Sequence, residues 1–126
     1  MTFEILKDKT LTEVKQIGDD RLRFETDEGK VYELMHHQDC CESVVIESIT
    51  GDLADIVGTP ILLAEVSTSE TPPEGSAVIE CDLWTFYKLR TIKGSVDIRW
   101  HGSSNGYYGV EVYFEDMTPS NKGGNA

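Results

Sequence analysis

The sequence predicts a mainly β (α+β) protein, an antiparallel sheet or meander with one or two short helices. Two observations carry that prediction. Short segments alternate apolar and polar residues with period two, and turn residues punctuate them. In addition, Asn105-Gly106 is a strong hairpin signal, because both residues tolerate the positive φ of a type I′ turn. The chain has 126 residues, which suits one core.

Taken in order, "LTEVKQI" before "GDD" supplies a strand, and "RLRFET" and "KVYELMHH" around "DEG" form a hairpin. "SVVIESI" has the β-branched run of a buried strand. "GDLADIVG" offers a short helical turn with Asp52 near its start, Leu53, Ile56 and Val57 on one face, and Gly58 as a stop. "TPILLAEVST" reads as a strand with Ile61, Leu63 and Val66 directed inward. "STSETPPEGSA" is short enough to be a surface loop. Three strands follow, "LWTFYKLRT", "SVDIRWHG" and "YYGVEVYF", spaced as an antiparallel meander. Residues 1–117 are read as a single β-rich domain, and "TPSNKGGNA" (118–126) as a flexible tail.

Period-two geometry sorts the side chains of that meander. Val96, Ile98 and Trp100 share the core face, and Asp97, Arg99 and His101 the other. Trp84, Phe86, Lys88 and Arg90 align opposite Thr85, Tyr87, Leu89 and Thr91. In the last segment Tyr108, Val110, Val112 and Phe114 oppose Tyr107, Glu111 and Tyr113. The pattern therefore yields an outer face bearing Arg99, His101, Tyr107 and Arg90.

The net charge of −12 argues against direct nucleic-acid binding and against anionic membranes. Solubility accounts for it simply; a surface that competes for a basic groove is the sharper reading. From Val31 to Tyr87 there are eleven acids and no lysine or arginine. The sign then reverses at Lys88, Arg90, Lys93 and Arg99. Eight of the eleven aromatic residues fall between Trp84 and Phe114, so an anionic, ring-containing ligand is sought there. Apolar runs are too short to span a membrane, and "MTFEILKDKT" lacks the apolar core of a secretory signal.

Three cysteines, two of them adjacent, argue against a disulfide framework and make a reducing cytoplasm the expectation. "HHQDCCE" (36–42) gathers histidines and cysteines, but its spacing completes no zinc tetrahedron. Cys40 and Cys41 are expected to be buried as small hydrophobes. An acidic neighbourhood also disfavours a thiolate nucleophile. No phosphate-binding loop, dinucleotide fingerprint or nucleophile elbow is present. Hence no catalytic residue, metal or cofactor is assigned.

The stretch "RWHGSSNGYYG" (99–109) reads either as a plain hairpin turn or as a turn that holds a ligand. In the second reading Ser103, Ser104 and Asn105 supply hydrogen bonds. Tyr107 stacks on a ring, and Arg99 pairs with a phosphate. Such a constellation binds better than it reacts.

"HHQDCCESVVIESITGDLADIVGTPILLAE" and "WTFYKLRTIKGSVDIRWHGSSNGYYGVEVYF" resemble a small family of uncharacterised domains found mainly in tailed bacteriophages and their hosts. The likeness spans about residues 10 to 115. The family's signature places a serine after the double tyrosine, where this chain has Gly109. It implies a phage or prophage context and no activity. A weaker resemblance is to small phage β-rich proteins that sequester cyclic ADP-ribose-type or cyclic oligonucleotide signals, including those that defeat Thoeris defence. By residue type it implies ligand contacts at Phe86, Arg90, Arg99 and Asn105, and a homo-oligomer that encloses the ligand.

The leading expectation is a non-enzymatic protein binding a small anionic nucleotide-like ligand through Phe86, Arg90, Arg99, His101, Ser104, Asn105 and Tyr107. The alternative is an acidic inhibitor or DNA mimic docking on a host defence or nucleic-acid-handling protein. A small hydrolase or transferase ranks third.

Overall fold

Alternating apolar side chains pair β1 (Leu11–Ile17), β2 (Arg21–Thr26) and β3 (Val31–Met35) into antiparallel ribbons. The computed structural model describes residues 2–38, 41–69, 81–104 and 109–119. The β2–β3 turn forms where sequence predicts. Gly29 takes φ 83°, a left-handed conformation that costs glycine least. Thr26 Oγ1 accepts from the amides of Glu28 (3.3 Å) and Lys30 (3.2 Å).

The remaining strands are β4 (Ser43–Thr50), β5 (Leu63–Ser69), β6 (Cys81–Thr91), β7 (Gly94–Ser104) and β8 (Tyr113–Asp116). They complete two four-stranded antiparallel sheets, ordered β1-β2-β3-β8 and β4-β7-β6-β5. The protein is thus mainly β, and among the described residues its helical content is confined to 3-10 turns at Phe3–Leu6 and Leu53–Ile56. The second turn is the one expected at "GDLADIVG": Asp52 caps it by accepting from the Ala54 amide at 3.0 Å, as a helix-capping carboxylate does. Gly58 follows it with φ 92°.

The inner faces of the two sheets share one buried cluster. Leu22, Phe24, Tyr32 and Leu34 of the first sheet belong to it with Tyr87, Leu89, Val96, Ile98 and Trp100 of the second. Phe3 joins the layers. Its ring lies 6.1 Å from that of Phe24, 5.5 Å from Phe114 and 4.7 Å from Tyr87, edge-on to each. Edge-on packing suits aromatic quadrupoles, and burying such a side chain contributes about 1.5–3 kcal/mol.

Three expectations are corrected here. The last three strands are not a meander: β6 and β7 form a hairpin, but β8 pairs with β3 in the other sheet, Leu34 opposite Phe114. Among the described residues of that segment only Tyr113–Asp116 is strand; the stretch before it crosses between layers with Val110 packed on Gly102. A Cβ on Gly102 would lie 2.7 Å from Val110 Cβ and from its carbonyl oxygen. In β5, Ala64 rather than Leu63 takes the inner place. Pairing with β6 sets that alternation, putting Ala64 opposite Leu89, Val66 opposite Tyr87 and Leu63 opposite Arg90; Val66 faces inward as expected and is 37% exposed.

The third correction concerns cysteine. Cys41 is disulfide-bonded and exposed, not a buried free thiol; its partner lies outside the described side chains. Cysteine usage therefore ceases to argue for a reducing compartment. Among the described residues no helix is long and apolar enough to cross a membrane.

Candidate functional site

The outer face of the second sheet is built by register. Side chains directly opposite one another on antiparallel strands share a face. The β6–β7 pairing sets Lys88 against Asp97, Phe86 against Arg99, Trp84 against His101 and Asp82 against Ser103. On the flanks, β5 adds Glu65 beside Lys88 and Ser67 beside Phe86, while β4 adds Ser48 beside Arg99 and Thr50 beside Asp97.

A cleft of about 620 Å³ opens across this face. Phe86, Arg99, Lys88, Asp97, Glu65 and the hydroxyl residues Ser48, Thr50 and Ser67 line it, with Glu4 at one side. Phe86 is 37% exposed in a protein whose other β6 aromatics, Trp84 and Tyr87, are buried. Burial without ionic compensation pushes the Tyr87 phenol above its ordinary value.

Two cations of this face are partnered. Arg99 Nε lies 2.6 Å from Glu47 Oε1, and Lys88 Nζ is 3.9 Å from Asp97 Oδ1. Both pairs are about half exposed, so they contribute little to stability. Acids from the Val31–Tyr87 stretch are thus brought by strand pairing onto the basic segment that follows it. The cleft is mixed in charge, not basic.

Of the residues expected at a site, the structure brings Phe86 and Arg99 together in the cleft. Arg90 is exposed on the same face opposite Ser95, beyond the lining. His101 lies next to the cleft, its ring stacked on Trp84 at 4.8 Å and its Nε2 3.0 Å from Asp82 Oδ1. Ser104 turns to the inner face and is 4% exposed. Asn105 and Tyr107 lie outside the described residues, so the turn that joins them to Arg99 is not part of this geometry.

Sequence reading missed Glu47, Ser48, Thr50, Glu65 and Ser67. One signal was present in "SVVIESIT". Val44 and Ile46 alternate inward, but the next inward residue is Ile49, a step of three. That break is a bulge: Ile46 pairs with Trp100, Ser48 with Arg99, and Glu47 is the extra residue. A bulge re-aims side chains at the edge of a sheet.

Among the described residues no serine or cysteine side chain hydrogen-bonds His101, whose bonded partner is Asp82. Nor does any group of three or more His, Cys, Asp or Glu there have the arrangement to hold a metal ion. A second polar cluster sits elsewhere, where His36 meets Glu42 beside Asp19 and Asp20.

Fold and site together define a two-sheet antiparallel β protein with an aromatic, charge-paired cleft on one outer face. The family model described as Domain of unknown function (DUF7448) matches residues 4–114, and the chain belongs to that family. No curated protein and no solved structure matches it.

Proposed function

We propose that this is a non-enzymatic binding protein whose outer-face cleft takes a small ligand carrying both a ring and an anionic group. The observation behind this reading is the exposed Phe86 directly opposite Arg99 inside a cleft of about 620 Å³. A bare phenyl ring offers a stacking surface, and a guanidinium keeps further N–H donors beyond the one engaged by Glu47. Hydroxyls of Ser48, Thr50 and Ser67 can read a sugar or base edge. The resemblance to phage sponges extends the proposal to a nucleotide-derived immune signal, held by the protein of a phage or prophage, with a homo-oligomer enclosing it.

The test is incubation with a panel of bacterial nucleotide signals, followed by denaturation and analysis of what is released. Intact recovery is expected, and conversion of the ligand would make the protein an enzyme instead. Phe86→Ala should cost about 1–3 kcal/mol of affinity through lost stacking. Arg99→Ala should cost about 1.5–3 kcal/mol through a lost charge-assisted bond. No retention, together with salt-sensitive capture of a basic host protein, would favour the acidic-inhibitor reading that the net charge of −12 supports.

A further inference from the structure

We infer that the Glu47–Arg99 pair makes the cleft selective for a ring-bearing phosphodiester over the corresponding terminal phosphomonoester. The inference rests on the ligand-binding reading above and names the anion that reading left open.

Charge at the site is the starting point. Three acids, Glu4, Glu65 and Asp97, line the cleft against two bases, Lys88 and Arg99. Lys88 has Asp97 at 3.9 Å, and Arg99 has Glu47 at 2.6 Å. Glu47 does not itself line the cleft. It stands at the rim because the β4 bulge inserts it between Ile46 and Ser48, which face Trp100 and Arg99. Without that extra residue, Arg99 would have Ser48 alone as its β4 neighbour.

The consequence follows from the charge of the incoming group. A phosphodiester carries one negative charge at neutral pH, whereas a phosphomonoester carries about −1.5 to −2. One guanidinium already offset by Glu47 can take a single charge through its remaining N–H donors. The additional charge of a monoester meets Glu47 and Glu65, and the one other cation in the lining, Lys88, already faces Asp97. Like-charge juxtaposition of this kind suppresses the wrong partner more than it strengthens the right one.

Three probes on the full chain separate the possibilities: 3′,5′-cyclic AMP, 5′-AMP and adenosine, titrated by calorimetry into the wild type and Glu47→Gln. Glutamine keeps the size and removes the charge at a position 39% exposed, and circular dichroism confirms the fold. The wild type should bind the cyclic diester about tenfold or more tightly than the monoester, a gap of roughly 1.4 kcal/mol. In Glu47→Gln that gap should shrink to about threefold or less, chiefly by tighter monoester binding. Equal wild-type affinities, or an unchanged gap in the variant, would overturn the inference while leaving the cleft a binding site. Failure of all three probes to bind would overturn the binding reading itself, and the inference with it.

Discussion

His36 Nε2 lies 2.7 Å from Glu42 Oε2, with the two side chains 5% and 0% exposed. The other ring nitrogen, Nδ1, donates to the Glu111 carbonyl at 2.7 Å. One imidazole thus ties the end of β3 and the approach to β8, neighbours in one sheet, to the approach to β4 in the other. His36→Ala would remove one partner of a buried carboxylate and the bond to the Glu111 carbonyl, and should destabilise by about 1–3 kcal/mol. His37 provides the comparison. Its pair with Glu115, at 3.1 Å, is 58% and 40% exposed, so His37→Ala should cost under about 1 kcal/mol. Urea unfolding of the two variants checks the contrast; equal shifts would mean that the buried bridge holds nothing together.

Both histidines lie in one motif, "HHQDCCE", and its sequence did not separate them. The distinction depends on which side chain falls under Glu111, a residue 75 positions away. The same limit runs through the cleft. Phe86 and Arg99 were legible as outward-facing because a two-residue turn joins β6 to β7 and period two does the rest. Their neighbours were not, since Glu47 and Glu65 reach the site only through long-range pairing of β4 with β7 and β5 with β6. Local alternation fixes a face; it does not choose the neighbouring strand. The turn at Asn105-Gly106 suggested β8 beside β7, yet Phe114 is opposite Leu34, where it stacks on Tyr32 with centroids 5.1 Å apart.

The crossing from β7 to β8 depends on Gly102. A side chain there would press on Val110, whose Cβ and carbonyl oxygen both lie 2.7 Å from the position of an added Cβ. Val110 is 5% exposed and belongs to the core, so it has little room to retreat. Gly102→Ala should therefore cost about 1–3 kcal/mol by overpacking. Pairing Gly102→Ala with Val110→Gly should return part of that loss, since the second change removes the Cβ, one of the two clashing atoms. A double-mutant cycle in urea measures the coupling, and strict additivity would show that the two residues do not share the space.

The Tyr87 phenol supplies a pH dependence whose sign follows from burial. Its residue is 4% exposed, and desolvation raises its pKa above the ordinary 10.0. In the unfolded chain the phenol ionises near that ordinary value, whereas in the folded protein it stays neutral to higher pH. Above about pH 10 the folded state thus holds a proton that the unfolded state has released, and stability falls as pH rises. The slope approaches about 1.4 kcal/mol per pH unit once the unfolded phenol is ionised. Below pH 10 the contribution is fully present and does not vary. Tyr87→Phe deletes the ionisable group while keeping the ring that packs on Phe3, so its stability should decline less steeply through the alkaline range. Urea midpoints for wild type and Tyr87→Phe at pH 9, 10 and 11 test this, with the curves expected to coincide in shape up to pH 10 and to diverge beyond it. Parallel curves across the whole range would place the alkaline sensitivity in other groups.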